Sequence, residues 1–251
     1  MRICSSWIAV WSISLVIGLA PQVHAGWGQA KLIGQGNWGA IAVDSTGESH
    51  IAYLGQVKDT ENWTYTAYDT ARARVTSLSV PLNAISTPLV SIAVDSHDQP
   101  HVAALTGLND DLSYLSLNSN EWLPQTVASD LEDGNTPLAI DTQGNPHIAY
   151  ISRTSYHLTH AFYDGTTWQL EDTGFGMIPT SIKIAKDGTV NIAGGVGAAG
   201  VCEASGLNGV WSNNCFDFNN GGTVFLGFGA NGSPEAGIYR SRRFSNHARY
   251  V

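Results

Sequence analysis

The chain has 251 residues, only 13% of them charged, and a formal net charge of −9 from 12 Lys and Arg against 21 Asp and Glu. An acidic chain without a basic run is not expected to bind nucleic acid or an anionic membrane. Its length is enough for one well-buried domain.

Residues 1–25 have the features of a secretory signal peptide. An early Arg is followed by an apolar run over 7–20, and a small-x-small motif ends at Ala25. The apolar run is shorter than the about 20 residues that a membrane anchor needs. We therefore expect cleavage after Ala25, a secreted or periplasmic protein without membrane insertion, and only Cys202 and Cys215 in the mature chain.

Five similar stretches follow, and their period of 44 to 51 residues indicates a repeat architecture. The first three read "IAVDSTGESHIAY", "IAVDSHDQPHVAA" and "LAIDTQGNPHIAY", and the last two, "IKIAKDGTVNIAG" and "LGFGANGSPEAGI", are weaker. The repeats start near residues 39, 90, 137, 181 and 224. Each is an apolar alternating run, a tight turn and a second alternating run, which predicts two antiparallel strands.

A second hairpin follows in each repeat, as in "SYHLTHAFYDGTTWQLEDTG" of the third. Four strands at this period predict an all-β fold, a five-bladed β-propeller of four antiparallel strands per blade, formed by residues 26–251 as a single domain. The fifth copy ends on its third strand, "FSNHARYV". Because "GWGQAKLIG" (26–34) is similar to "TTWQLEDTG", we expect the N-terminal strand to close the last blade, with Trp27 in the place of Trp168. The alternative is a truncated last repeat.

These repeats resemble known propeller families. "SIAVDSHDQPHVA" is similar to the core of the NHL-type repeat, and the "DSxGxPHIAY" form resembles repeats of secreted bacterial propellers of the sialidase-like superfamily. The resemblance covers the inner half of each blade and implies a fold, because such propellers include lectins, hydrolases, lyases and docking scaffolds. The sialidase Asp-box is not met, since "YDGTTW" lacks the residue between Asp and Gly.

Three of the repeats carry an Asp six residues before a His, and this spacing allows two interpretations. The three histidines could converge on a metal ion. Alternatively, each Asp accepts a hydrogen bond from its His within one hairpin. Repeats four and five lack both residues together, so we favour structural pairs on the face opposite the usual ligand entrance, and expect neither metal nor cofactor. The pairs are Asp44 with His50, Asp95 with His101, and Asp141 with His147.

Tryptophans begin the predicted outer strands, where an aromatic ring would cover the edge of a blade. These residues are Trp27, Trp122, Trp168 and Trp211. A lectin with equivalent sugar-stacking pockets between blades is the alternative reading. Small residues two positions after each His position, such as Ala52 and Ala103, are expected to let neighbouring sheets approach closely.

Asn208-Gly209 is a strong signal for a two-residue hairpin turn. Cys202 and Cys215 are equidistant from it, so their side chains face each other across the hairpin. With an oxidising compartment supplied by export, we predict a disulfide between them.

Irregular polar loops on the opposite face, such as "TGLNDDL" and "SRTSYH", are the predicted ligand-binding surface. The candidate binding residues are Trp38, Asp110, Asp111, Arg153, Tyr156 and Arg240. No serine elbow, phosphate loop or zinc motif is present in the sequence, and the inner-strand acids lie at the other end. We therefore expect a monomeric, non-catalytic module that binds a glycan or an extracellular protein. The alternative is a carbohydrate-active enzyme: a glycosidase, a sialidase-like hydrolase or a polysaccharide lyase.

Overall fold

The computed structural model describes residues 36–57, 60–69, 74–79, 90–106, 111–129, 131–132, 134–196, 200–217, 223–228 and 234–239. The predicted signal peptide, the predicted closing strand at 26–34 and the last predicted strand, "FSNHARYV", lie outside these ranges.

The described part is all β, and four of its sheets have four antiparallel strands that follow one another in chain order. Blade 1 contains β1 (Gly36–Val43), β2 (Ser49–Val57), β3 (Thr60–Asp69) and β4 (Arg74–Ser79). Blade 2 contains β5 (Val90–Val94), β6 (Pro100–Thr106), β7 (Asp111–Asn118) and β8 (Glu121–Ala128). Blade 3 contains β9 (Leu138–Ile140), β10 (Pro146–Ile151), β11 (Leu158–Tyr163) and β12 (Trp168–Asp172). Blade 4 contains β13 (Ile178–Ile184), β14 (Val190–Val196), β15 (Gly200–Leu207) and β16 (Val210–Asp217). A fifth sheet pairs β17 (Thr223–Phe228) with β18 (Pro234–Tyr239). The predicted four-stranded antiparallel repeat is thus confirmed.

The first turn of blades 1 and 3 is formed by the predicted Asp-x-x-Gly segment, 44–47 and 141–144. In blade 1 the Asp44 N–H donates to Glu48 O at 3.0 Å, and Gly47 has a φ of 85°. This left-handed conformation suits glycine. In blade 2 Asp98 takes the same place with a φ of 62°, and its carboxylate accepts bonds from Ser45 N (2.8 Å) and Ser45 Oγ (2.7 Å) of blade 1. The turns of blades 1 and 2 are therefore joined on this face, which we call the turn face.

The core lies at the joints between successive blades. The first strands contact one another in order, β1 with β5, β5 with β9, β9 with β13 and β13 with β17. One apolar cluster fills each of the three joints between blades 1 and 4. The second strands β6 and β10 are buried along their whole length. Ala103 and Ala149 are fully buried at 0% exposure, as expected of positions where sheets approach closely.

No helix within the described ranges is long and apolar enough to cross a lipid bilayer.

Candidate functional site

The predicted binding residues fall on several blades. Asp110 and Arg240 lie outside the described residues, and of Trp38 the structure describes the backbone, within β1. Asp111 begins β7, is half-buried, and accepts a hydrogen bond from Thr106 Oγ1 at its backbone oxygen (3.3 Å). Arg153 and Tyr156 both lie in the loop between β10 and β11.

A tight turn over residues 152–157 presents Tyr156 to solvent. The Tyr156 N–H donates to Ser152 O (2.8 Å), and the Ser152 N–H donates to His157 O (3.0 Å). Tyr156 has a φ of 57° and its side chain is 63% exposed. A left-handed conformation is sterically costly for a bulky residue, and such outliers cluster at ligand sites. The turn thus holds an aromatic ring outward in a constrained position.

Two other residues of this loop, Arg153 and His157, contact carboxylate groups. Arg153 Nε lies 3.6 Å from Glu132 Oε2, and His157 Nδ1 lies 3.0 Å from Asp172 Oδ1. The side chains in both pairs are 36 to 51% exposed. Such exposed pairs contribute at most about 1 kcal/mol to stability. We call Glu132, Arg153, Tyr156, His157 and Asp172 the blade-3 loop cluster.

A cavity of about 300 Å³ lies beside this cluster, at the joint between blades 3 and 4. Its lining residues are Gly174, Phe175, Gly176, Met177, Val196, Cys202, Ala204, Asn213 and Cys215. The backbone oxygen of Tyr156 is 3.8 Å from the point where a Cβ on Gly176 would stand. The loop that carries the exposed ring therefore also borders the cavity wall.

The disulfide between Cys202 and Cys215 forms part of that wall, and its prediction is confirmed. The two residues are register partners in β15 and β16 with their Cα atoms 4.0 Å apart. The hairpin turn has positive φ at both Asn208 (52°) and Gly209 (76°), as the Asn-Gly signal predicts. A disulfide in a protein of this kind is consistent with an oxidising, extracytoplasmic compartment.

On the turn face, the Asp of each of the first three repeats accepts hydrogen bonds from backbone N–H groups of its own turn. Asp44 Oδ1 accepts bonds from the N–H groups of Thr46 (2.9 Å) and Glu48 (2.8 Å), and Asp95 and Asp141 do the same in their turns. Burial alone would raise the pKa of these carboxyl groups, but the hydrogen bonds that they accept hold each pKa below its ordinary value. The stabilisation of the folded state by these hydrogen bonds is fully present above the ordinary Asp pKa. It is lost as the pH falls through the lower pKa of the folded state.

The second oxygen of each of these carboxylates faces the histidine of the same repeat. The Nε2 of His50 lies 3.2 Å from Asp44 Oδ2, and the corresponding distance is 3.5 Å for His101 and for His147. Burial is the main reason that the pKa of His101 is lowered, although Asp95 acts in the opposite direction. Within the described ranges, no group of three or more His, Cys, Asp or Glu side chains is arranged to hold a metal ion.

Sequence reasoning missed the residues that each histidine contacts on its other side. His50 Nδ1 is 2.6 Å from Tyr65 Oη, His101 Nδ1 is 2.5 Å from Tyr114 Oη, and His147 Nδ1 is 2.9 Å from His160 Nε2. These partners occupy one register position, opposite Ala52, Ala103 and Ala149. The recurrence of a ring at that position was the signal in the sequence, but a diagonal contact across strands is visible only once the register is known.

The outer-strand tryptophans pack on these partner rings of the preceding blade. Trp122 meets Tyr65 and Trp168 meets Tyr114 edge-on, each with ring centroids 5.2 Å apart, and Trp211 meets His160 at 5.4 Å. Trp122 is buried, whereas the other two are half-buried. The tryptophans are thus part of the blade joints.

Three solved structures resemble this one. The lectin SapL1, in complex with alpha methyl fucoside, matches with a TM-score of 0.59 and 13% identity over 83% of this chain and 74% of that chain. AofleA from Arthrobotrys oligospora matches with a TM-score of 0.57 and 12% identity over 73% of this chain and 57% of that chain. Virginiamycin B lyase from Staphylococcus aureus matches with a TM-score of 0.52 and 10% identity over 84% of this chain and 68% of that chain.

At these identities the likeness concerns the fold alone, which is propeller-like. No protein-family model matches the chain. No curated protein matches it either.

Proposed function

We propose that the protein is an exported, non-catalytic module that binds a glycan through the blade-3 loop cluster. The observation that carries this proposal is the outward-facing ring of Tyr156, constrained by its turn, together with the half-exposed pairs Arg153–Glu132 and His157–Asp172. The signal peptide predicted at residues 1–25 and the disulfide support export. A propeller-like fold shared with a lectin that binds a fucoside supports the class of ligand.

The chemistry of the cluster suits a sugar. An exposed aromatic ring offers a flat apolar surface against the C–H face of a pyranose. Guanidinium and carboxylate groups donate to and accept from vicinal hydroxyl groups, and hydrogen bonds to charged groups are the stronger ones. The neighbouring cavity is large enough to receive a substituent of the sugar.

A glycan array probed with the mature protein tests this proposal. We expect one class of glycan to be retained chemically unchanged, and Tyr156→Ala and Arg153→Ala each to weaken its binding by tenfold or more. Val210→Ala is the matched control, because Val210 is 75% exposed at the far end of a hairpin on the turn face. Both loop variants should unfold at nearly the wild-type urea concentration, since exposed substitutions usually change stability by no more than about 0.5 kcal/mol. Unchanged glycan affinity in both loop variants would contradict the proposal.

A carbohydrate-active enzyme is the second candidate, and the His157–Asp172 contact is the observation in its favour. An imidazole whose Nδ1 is held by a carboxylate at 3.0 Å has the arrangement of an oriented general base. Incubation with a panel of polysaccharides, followed by assays for new reducing ends and unsaturated products, separates the two functions. Turnover by the wild type that is lost in the His157→Gln variant would show that the protein is a hydrolase or lyase and not a non-catalytic binding module.

The proposal also includes a five-bladed ring in which residues 26–34 form the outer strand of the last blade. In blade 4 the register position of the partner rings is held by Glu203, opposite Ala193. Its Oε1 is buried and has no hydrogen-bond partner among the described residues, and burial raises the pKa of this carboxyl group. At the three preceding joints a tryptophan of the next outer strand covers this position. We propose that Trp27 covers Glu203 and donates its indole N–H to the carboxylate.

A further inference from the structure

The cavity at the joint between blades 3 and 4 has a wall that is rich in sulfur. Met177 comes from the segment just before β13, and the disulfide of Cys202 and Cys215 joins β15 to β16. Met177 and Cys202 are each 3% exposed and belong to the apolar cluster of this joint, against which Phe175 packs. The wall therefore combines three sulfur atoms with a phenyl ring.

The same wall carries no charge. Among the described residues, the nine that line the cavity include none with a charged side chain. A charged group placed in this cavity would lose its hydration without gaining a counter-charge, which is costly. The cavity therefore favours a neutral occupant.

The volume of the cavity suits a ring with a small substituent. It measures about 300 Å³, whereas an apolar cavity of about 150 Å³ is already large enough to bind benzene. At the cavity wall Val196 is 37% exposed and Asn213 is also exposed, so an occupant can enter from the solvent.

Asn213 contributes the one amide side chain among the nine lining residues. It lies two residues before Cys215 on β16, opposite Ala204 of β15, and therefore on the cavity side of the strand. Its Nδ2 lies 4.0 Å from Cys215 Sγ. Sulfur is a weak acceptor, so a hydroxyl group of an occupant offers this amide a better hydrogen-bond partner.

We propose that this cavity binds a small neutral aromatic molecule of the phenol class. The ring lies against Phe175, Met177 and the disulfide, and the hydroxyl group bonds to the amide of Asn213. Contacts with sulfur and with another ring favour an aromatic occupant over a saturated ring of the same size. This inference goes beyond the proposed glycan binding and does not depend on it, since no lining residue belongs to the blade-3 loop cluster.

Met177 supplies a specific probe of the cavity. The sequence contains two methionines, and the other, Met1, lies in the predicted signal peptide. The exported, mature protein labelled with methyl-¹³C-methionine should therefore give a single methyl signal. We expect phenol to shift this signal through its ring current in a saturable way, with a dissociation constant of about 1 mM or lower. A methyl signal that phenol does not move would overturn the proposal.

Two further compounds test the chemical class of the occupant. Cyclohexanol has the hydroxyl group and nearly the size of phenol but a saturated ring, and benzoate has an aromatic ring but is charged at neutral pH. Measured by displacement of phenol from the Met177 methyl signal, cyclohexanol should bind about two- to tenfold more weakly than phenol. Benzoate should not displace phenol, because its charge would be buried without a partner. Equal affinity of either compound and phenol would contradict a neutral aromatic site.

The hydroxyl contact is tested by Asn213→Ala, with Asn214→Ala as the matched control. Both asparagines are exposed on β16, but Asn214 pairs with Glu203, faces the other side of the strand and does not line the cavity. Asn213→Ala should weaken the binding of phenol about two- to tenfold, the range for one hydrogen bond, and leave the binding of toluene unchanged. Asn214→Ala should change neither. Equal phenol affinities of the two variants would refute the hydroxyl contact.

The sulfur contact is tested by Met177→Leu, which nearly conserves the side-chain volume. Calorimetry replaces the methyl signal in this variant. Phenol should bind about two- to tenfold more weakly than to the wild type, whereas the affinity for cyclohexanol should not change. Equal losses for the two compounds would show an apolar cavity without preference for an aromatic ring. If Met177→Leu does not fold, the comparison of phenol with cyclohexanol on the wild type decides the same point.

Discussion

At the residue scale, one backbone position shows how a repeated fold carries different chemistry. The position opposite the small residue of the second strand is occupied by Tyr65, Tyr114, His160 and Glu203 in blades 1 to 4. The backbone pairing around it is the same in each blade. What changes is the chemistry of the side chain: a tyrosine hydroxyl or an imidazole that hydrogen-bonds to a histidine in blades 1 to 3, and in blade 4 a carboxyl group whose Oε1 has no hydrogen-bond partner among the described residues.

The Asp–His pair of blade 2 is suited to a double-mutant cycle. Asp95→Ala and His101→Ala should each destabilise the protein by about 1–2 kcal/mol, because the first removes the acceptor of the His97 and Gln99 N–H groups and the second removes the partner of the buried Tyr114 hydroxyl. The double variant should cost less than the sum of the two. His97→Ala is the control, since His97 also approaches Asp95 (3.8 Å) but has a side chain that is 82% exposed. Additive single effects in urea unfolding would show that the two buried residues do not interact.

The sequence was sufficient to propose these pairs because both partners lie in one hairpin at a fixed spacing of six residues. It was not sufficient for the contact of His101 with Tyr114, which depends on the register between β6 and β7. The exposure of Tyr156 could not be derived either, because it depends on a left-handed turn without a glycine.

At the element scale, the hairpin of β15 and β16 is shaped by a glycine beneath a tryptophan. Gly206 and Trp211 are register partners, and a Cβ built on Gly206 would lie 2.5 Å from the indole ring. The absence of a side chain lets the indole lie against the strand, where it also reaches His160 and Glu171 of blade 3.

Gly206→Ala should therefore destabilise the protein by about 1–3 kcal/mol, because the added methyl group displaces the indole from the blade joint. Gly195→Ala in β14 is the matched control, since no atom lies within 4 Å of a Cβ built there. Its stability should be unchanged or slightly higher. Urea unfolding of the two variants under one set of conditions gives the comparison, and equal midpoints would contradict this account of the hairpin.

The disulfide of the same hairpin illustrates which elements were predictable. The Asn208-Gly209 turn determines the register, and the register places Cys202 opposite Cys215, so a local signal was enough. The cavity behind the disulfide was not predictable, because its wall combines this hairpin with the loop over 174–177 of the preceding blade. Such a surface depends on how two sheets pack.

At the scale of the whole molecule, stability depends on a series of joints between similar sheets. Each apolar cluster between blades 1 and 4 combines residues of two successive blades. The repeat period and the alternating strands predicted this arrangement, because each sheet has faces that must be covered by its neighbours. The number of blades and the closure of the ring depend on residues that lie outside the described ranges, and they stay predictions.

The closure of the ring by residues 26–34 is tested by removing that segment and supplying it again. The mature protein without these nine residues should unfold at a lower temperature and aggregate more readily, because the strand that it leaves uncovered presents unpaired backbone groups. A synthetic peptide, GWGQAKLIG, should raise the unfolding temperature of this deletion variant in a concentration-dependent way, since a ligand that binds only the folded state stabilises it by mass action.

The same peptide with Ala in place of the residue corresponding to Trp27 should be much less effective, because the indole that covers Glu203 is missing. A scrambled peptide of the same composition controls for non-specific binding. Equal thermal stability of the full-length and deleted proteins, or equal rescue by all three peptides, would show that the ring is not closed in this way.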